Sequence, residues 1–177
     1  LFLDIDLPQE GVGGLVRKLF GRGKPDARTE ALEKLQGTLE SSGLGSFRIY
    51  RTAAGFRAMA VDRVFDPAGS EAQDLMAATG TDPAFMRLCK VQKSFRARLT
   101  PKPWRCGMPK PPGQFPRDES SQGKFERWVE DYRRASEKFA TCEFVGTVGN
   151  GAASGVHAQI VELHDAMTRC GNGLGLA

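Results

Sequence analysis

The sequence predicts an α+β fold. Three patterns indicate it: short stretches that alternate apolar and polar residues, Leu- and Ala-rich stretches at helical spacing between them, and a proline-rich stretch after residue 100. The chain has 177 residues, of which 40% are hydrophobic and 26% are charged. This length and composition are typical of a globular protein that buries a sizeable core.

The first seven residues alternate two acids with apolar residues and predict a strand. Period-2 geometry puts Asp4 and Asp6 on one face and directs Phe2 and Ile5 mostly to the core. Two carboxylates about 7 Å apart repel each other unless a cation or an arginine lies between them. Such a pair suits a divalent metal with oxygen ligands. The alternative is an edge strand with one polar face.

A glycine-rich segment, residues 8–24, follows this strand and lacks both the GK[ST] and the GxGxxG patterns, so we expect a mobile surface loop. Apolar residues from Ala27 to Leu39 then recur every three to four positions and predict an amphipathic helix. The segment Ser41-Ser42-Gly43 should end that helix.

Residues 47–52 and 56–61 alternate on either side of a short turn and predict a β-hairpin with Gly55 at positive φ. A capped helix should begin at Ser70, a helical turn near Asp82, and another strand over residues 94–99. The resulting order β-α-β-β-α-β is that of a ferredoxin-like (RRM-like) core, in which the first and third strands are central.

The character of the sequence changes beyond residue 100. A proline-rich arm, residues 101–121, should run extended across the surface with Trp104 holding it down. Helical spacing from Phe125, a strand from Cys142 and a last helix with Val156, Ile160, Leu163, His164 and Met167 on one side follow. The predicted division is a core over 1–100, the arm over 101–121 and a C-terminal α/β extension over 122–177, packed into a single compact domain.

Charge is unevenly distributed along the chain, although the net charge is only +4. Eight Lys or Arg and no Asp or Glu lie between Arg87 and Lys110, so this segment should attract phosphates. The four cysteines lack CxxC spacing, which argues against structural zinc and favours reduced thiols in the cytoplasm. No apolar run is long enough to span a membrane. Because the chain does not begin with Met, we expect further residues upstream.

The acids of the first strand could meet arginines from neighbouring strands on the exposed face of the sheet. The candidate phosphate-binding residues on those strands are Arg51, Arg57, Arg96 and Arg98. Carboxylates and guanidinium groups together are the equipment of phosphoryl or nucleotidyl transfer, where metal and arginine neutralise charge on phosphate oxygens. The alternative is a structural salt-bridge cluster, because an unpaired Asp on a central strand would be costly.

The strings Leu1-Phe2-Leu3-Asp4-Ile5-Asp6, Tyr50-Arg51-Thr52-Ala53-Ala54-Gly55-Phe56-Arg57 and Arg87-Leu88-Cys89 resemble the catalytic core of the archaeo-eukaryotic primase and prim-pol superfamily. The resemblance covers roughly residues 1–100. It implies Mg²⁺ or Mn²⁺ at Asp4 and Asp6, a third catalytic acid at Asp82 or Asp62, and phosphate contacts that include Arg87. Arg57 stands where that superfamily has a histidine, which puts nucleotide incorporation in doubt.

Two further resemblances are weaker guides to function. Tyr50–Gly55 and Phe95–Arg105 are similar to strings in a family of uncharacterised bacterial proteins, to which no activity attaches. A phosphatase superfamily also opens on a DxD strand, but Leu7-Pro8 replaces its Gly-Thr.

The sequence therefore supports three hypotheses about function. The first is a metal-dependent nucleotidyltransferase that acts on nucleotide or nucleic acid. The second is a non-catalytic module that binds nucleic acid or nucleotide through the Arg87–Lys110 segment. The third is a structural or interaction protein in which the arginines neutralise the chain's own acids. An enzyme should hold a metal at the Asp pair, whereas a binding module should show each Asp paired with an arginine.

Overall fold

The computed structural model describes residues 1–7 and 26–177. The chain forms two compact units: unit 1 comprises Leu1–Ala97 with Phe144–Val161, and unit 2 comprises Arg98–Glu143 with Glu162–Ala177. The glycine-rich loop predicted over 8–24 lies outside the described residues.

The predicted α+β class is confirmed by a four-stranded antiparallel sheet and five α-helices in the described residues. In chain order the elements are β1 (Phe2–Asp6), α1 (Ala27–Ser42), β2 (Phe47–Thr52), β3 (Gly55–Ala60), α2 (Ser70–Ala78), α3 (Pro83–Gln92), the 3-10 turn η1 (Pro103–Cys106), α4 (Glu119–Ser136), β4 (Phe139–Ala140), β5 (Cys142–Val148), α5 (Gly155–Thr168) and β6 (Gly175–Leu176).

The larger sheet has the strand order β1-β3-β2-β5, and β3 pairs antiparallel with both β1 and β2. A helix joins β1 to β2 while β3 lies between them, which is the split β-α-β half of the predicted topology. The fourth strand, however, is β5, and it lies beside β2 instead of β1. The complete ferredoxin-like arrangement is therefore not confirmed, and β1 is not central among the described strands.

Residues 94–99 were predicted to supply the fourth strand, but they have no regular secondary structure. Phe95 packs against the hydrophobic core, while Arg96 and Arg98 are exposed. The alternation in this segment therefore reflects alternating burial, which an irregular segment lying on the core satisfies as well as a paired strand does.

The core of unit 1 lies between one face of the sheet and helices α1, α2 and α3. The buried side chains come from β1, β2, β3 and the three helices: Leu3, Phe47, Ile49, Phe56, Ala58, Leu35, Leu39, Leu75, Met76 and Cys89. On β1 the fully buried residue is Leu3, and Phe2 lies in alternation with it, on the same face as Asp4. The expectation that Phe2 points to the core is wrong because the buried face of β1 consists of the odd-numbered residues.

Gly55 begins β3 and does not have the predicted positive φ. A Cβ at this position would instead overlap the carbonyl oxygen of Ile5 on β1. The amide of Leu7 also donates to the carbonyl of Ala54, 2.9 Å away. Glycine is required here because β1 passes too close to allow a side chain, so Gly55 helps to fix the register of β1.

Unit 2 contains η1, α4, the short parallel pair β4–β6 and the end of α5. The arm includes the η1 turn, and Trp104 is 65% exposed, so the prediction that Trp104 holds the arm down is wrong. Tyr132 and Trp128 of α4 contact the arm instead. Of the five residues predicted to share one side of α5, His164 is buried, whereas Val156, Ile160, Leu163 and Met167 are exposed.

Candidate functional site

An ion pair between β1 and β3 marks the candidate site in unit 1. The register places Asp4 opposite Arg57, which is itself opposite Tyr50 on β2. Arg57 donates from Nε to Asp4 Oδ1 at 2.8 Å and from Nη2 to Asp4 Oδ2 at 3.4 Å. The Arg57 side chain is 4% exposed and that of Asp4 is 34% exposed. The guanidinium therefore engages both oxygens of a carboxylate at the edge of a buried region.

Asp6 is the second acid of the predicted metal pair, and it is exposed opposite Gly55. It shares a face of β1 with Asp4, as the alternation predicts. Across residues 1–7 and 26–177, no three His, Cys, Asp or Glu side chains lie close enough together to hold a metal ion. The Arg57 guanidinium contacts both Asp4 oxygens and would compete with a metal for this carboxylate. The Mg²⁺ or Mn²⁺ that the resemblance implies stays a prediction.

Asp82, the predicted third acid, is the N-cap of α3. Its Oδ1 accepts a hydrogen bond from the amide of Phe85 at 2.8 Å, and Pro83 occupies the first turn. Asp82 thus pairs with an otherwise unsatisfied amide at the N-terminus of α3, and this structural role explains the residue without a catalytic one. Asp62, the other possibility, is also exposed, next to Gly45 and Gly151. Neither acid joins Asp4 and Asp6 in a group of three within the described part of the chain.

The five arginines predicted to bind phosphate occupy different environments. Arg57 is buried against Asp4, whereas Arg51, Arg87, Arg96 and Arg98 are exposed. Arg51 lies near the end of β2 opposite Phe56, Arg87 and Arg96 belong to unit 1, and Arg98 belongs to unit 2. The structure thus brings one of the five to the Asp pair.

Sequence reasoning missed a cation–aromatic group beside this ion pair. Arg48 donates from Nε to the hydroxyl of Tyr50 at 2.8 Å, and its guanidinium carbon lies 4.1 Å from the ring centroid of Phe144 on β5. Tyr50 and Phe144 also meet edge to face, with centroids 5.9 Å apart. Tyr50 is the residue opposite Arg57, and Arg48, two positions earlier, lies on the same face of β2. The alternation of residues along β2 was therefore the signal in the sequence that could have indicated this group.

A second cluster of cations lies on α3 and the residues that follow it. We call Arg87, Lys90, Lys93 and Arg96 the α3 cationic surface. All four side chains are exposed, and none forms an ion pair with a residue in the described part of unit 1. Arg87 and Lys90 are one helical turn apart, and Lys93 ends the helix in the left-handed conformation. Cations near a helix C-terminus are favoured by the helix dipole, which is a structural reason for part of the cluster.

Cys89 lies on the opposite, core-facing side of α3 and is 1% exposed. Burial raises the pKa of the Cys89 thiol above its ordinary value. A thiol in this state is a poor nucleophile, so Cys89 serves as a packing residue.

Comparisons with protein-family models, curated proteins and solved structures found no match. The primase resemblance therefore stays a prediction from sequence strings alone. Within residues 1–7 and 26–177, no helix has the length and hydropathy needed to cross a membrane.

Proposed function

We propose that this protein is a non-catalytic module that binds the phosphate backbone of nucleic acid through the α3 cationic surface. The observation that carries the proposal is that its four cations are exposed and lack ion-pair partners among the described residues. Phosphate groups would supply the missing negative charge.

The two cation clusters have separate tasks under this proposal. Arg57 neutralises Asp4 inside the fold and has 4% of its side chain exposed, so it is not offered to a ligand. The α3 cationic surface remains for phosphates, and the exposed side chains of Leu88 and Val91 on the same helix offer apolar contact to sugars or bases. We also propose that unit 1 is related to ferredoxin-like folds, and this part of the proposal is limited to the β1-α1-β2-β3 half.

The proposal is tested by the fluorescence anisotropy of a labelled oligonucleotide. The variant carries Arg87→Gln, Lys90→Gln, Lys93→Gln and Arg96→Gln. We expect at least a tenfold loss of affinity at low salt. The slope of log K against log[salt] should become shallower by about 3, since each phosphate contact contributes about 0.7–0.9.

A matched control removes four exposed cations from another part of the chain: Lys124→Gln, Arg127→Gln, Arg133→Gln and Lys138→Gln. This control has the same net charge as the test variant. Its affinity should stay within about twofold of the wild type. Equal losses in both variants would mean that only net charge matters and would contradict a site on α3. Far-ultraviolet circular dichroism of each variant checks that the fold is intact.

Metal-dependent nucleotidyl transfer, which the resemblance implies, remains a separate prediction. It is tested by following the melting temperature during a Mn²⁺ titration of the wild type and of Asp6→Asn. The Asp4–Arg57 pair leads us to expect no metal-dependent shift in either protein. A saturable rise in the wild type that Asp6→Asn removes would support the enzyme and count against a purely non-catalytic module.

A further inference from the structure

Helix α4 of unit 2 carries a column of stacked planar groups. Phe125 and Trp128 stack with centroids 6.0 Å apart and ring planes at 13°, and Trp128 and Tyr132 stack at 5.2 Å and 7°. Their spacing of three and four residues places them on one helix face. The guanidinium carbon of Arg117, a residue of the proline-rich arm, lies 3.8 Å from the Phe125 centroid and covers the end of the column. We call Phe125, Trp128 and Tyr132 the α4 ladder.

The α4 ladder hydrogen-bonds to the proline-rich arm through two side-chain donors. Tyr132 donates its hydroxyl to the carbonyl of Pro101 at 2.6 Å, and Trp128 donates Nε1–H to that of Pro109 at 3.0 Å. In both cases the acceptor belongs to a proline. Within the arm itself, Arg117 donates Nε–H to the carbonyl of Pro112 at 3.4 Å.

The chemistry of proline explains this selection. Proline lacks an amide hydrogen, so a proline-rich segment has few donors of its own and the carbonyl groups of Pro101 and Pro109 remain available as acceptors. The fixed φ of proline also means that such a segment loses little entropy when it docks against aromatic rings. A row of parallel rings with Trp and Tyr donors at its rim meets both requirements.

From these contacts we propose that the α4 ladder is a recognition site for proline-rich peptide segments, and that the chain's own arm, whose η1 turn lies between Pro101 and Pro109, occupies this site in cis. The partner is accordingly a protein segment rich in proline, which displaces the arm. No ion pair joins the arm to the α4 ladder among the described residues of unit 2, so hydrogen bonds and ring contacts hold it. The arm competes from a high effective concentration, so a partner binds tightly only when the arm is released.

The hold on the arm is tested by limited trypsin digestion of the full chain. Lys102 and Lys110 precede prolines and resist trypsin, so cleavage after Arg105 reports release of the arm. The double variant Trp128→Phe, Tyr132→Phe retains the rings and removes two donors. We expect cleavage after Arg105, followed by mass spectrometry, to be about fivefold faster. The control is Trp104→Phe, an exposed arm residue, which should cleave at the wild-type rate.

Binding in trans is tested with a fluorescent peptide of residues 101–116 and full-chain protein. In an arm-alanine variant, Pro101, Pro103, Pro109, Pro111 and Pro112 are each changed to Ala. This keeps the backbone carbonyls but removes the ring and the fixed φ of each proline, so the arm should dock less tightly on the α4 ladder. The variant should bind the peptide at least tenfold more tightly than the wild type does. Adding Trp128→Phe and Tyr132→Phe should abolish that gain. A control peptide with alanine at every proline should not bind.

Two results would overturn the proposal. One is a folded arm-alanine variant, judged by circular dichroism, that binds the proline peptide no better than the alanine peptide. The other is a fraction of wild-type dimer that increases with protein concentration and is absent in the arm-alanine variant. In that case the segment bound to the α4 ladder would be the arm of a second copy of the chain.

Discussion

Arg57 and the α3 cationic surface are both positively charged, and the sequence predicted that both attract phosphates, yet they lie in opposite environments. Arg57 is 4% exposed and engages both oxygens of Asp4. The four cations of the α3 surface are exposed, without an ion-pair partner among the described residues. The difference teaches that a cluster of arginines in a sequence mixes residues that stabilise the fold with residues that can meet a ligand.

The largest expected effect comes from breaking the buried side of this comparison. Arg57→Ala should lower the free energy of unfolding by about 3 kcal/mol, the low end for removing one member of a buried ion pair, because Asp4 can still be hydrated. Urea denaturation measures it. Arg87→Ala is the control and should change stability by less than about 0.5 kcal/mol. Equal effects of the two substitutions would refute the distinction between the two environments.

The next effect concerns the register that brings Asp4 to Arg57. Gly55→Ala should destabilise the protein by about 2 kcal/mol, because its Cβ would overlap the Ile5 carbonyl oxygen on β1. Gly37→Ala is the matched control. Gly37 lies inside α1 with no atom within 4 Å of an added Cβ, so alanine should stabilise the protein by about 0.5–1 kcal/mol. In thermal unfolding, Gly55→Ala should lower the melting temperature and Gly37→Ala should raise it. An unchanged melting temperature for Gly55→Ala would contradict the role assigned to Gly55.

A smaller effect tests the exposed side of the comparison. Arg87 and Lys90 are like charges one turn apart on α3. Arg87→Gln should therefore stabilise the protein by about 0.3 kcal/mol at low salt. The gain should vanish near 1 M NaCl, where screening acts over about 3 Å. Chemical denaturation at both salt concentrations measures this, and a gain that persists at high salt would rule out charge repulsion as its cause.

The smallest effect compares the carboxylate held by Arg57 with one held by a helix terminus. Asp118 is the N-cap of α4, and the hydrogen bond from the amide of Ser121 lowers the pKa of Asp118 below its ordinary value of 3.8. Because the folded-state pKa is lowered, its stabilisation is present above the ordinary value and is lost as pH falls through the lowered one.

Asp118→Asn keeps a capping oxygen and removes the charge. The wild type should therefore melt slightly higher than Asp118→Asn at pH 7, and this difference should shrink towards zero as the solution is acidified to about pH 2. Melting temperatures across that range provide the measurement. A difference that grows on acidification would show that the ionised carboxylate does not stabilise α4.

Local patterns predicted most elements of unit 1. The periodicity of Leu35 and Leu39 indicated α1, and alternation indicated β1, β2 and β3 with their antiparallel hairpin. The same alternation failed at residues 94–99, because burial of Phe95 beside exposed Arg96 gives a period of two without a partner strand. Pairing depends on which backbone edge is available, and no local pattern records that.

The candidate site was predictable in part. Alternation placed Asp4 and Asp6 on one face, and the hairpin supplied an arginine at the right position on β3. The sequence pattern could not show that Arg57 would engage both oxygens of Asp4, nor that Asp82 would cap α3. Both outcomes depend on which hydrogen-bond donors the fold brings within hydrogen-bonding distance of the carboxylate.

By itself, the sequence determined the α+β class, the faces of the hairpin strands and the acid-free cationic segment from Arg87 to Lys110, because each follows from local periodicity or composition. The tertiary structure alone decided that Arg57 belongs to Asp4, that β5 is the fourth strand, and that Trp128 and Tyr132 hold the arm where Trp104 was expected to. The side-chain hydrogen bonds among those outcomes join residues 19 to 53 positions apart, and the pairing of β5 with β2 joins strands that are still farther apart in sequence. At such separations the partner of a charge or a hydrogen-bond donor is set by packing, which a one-dimensional pattern does not contain.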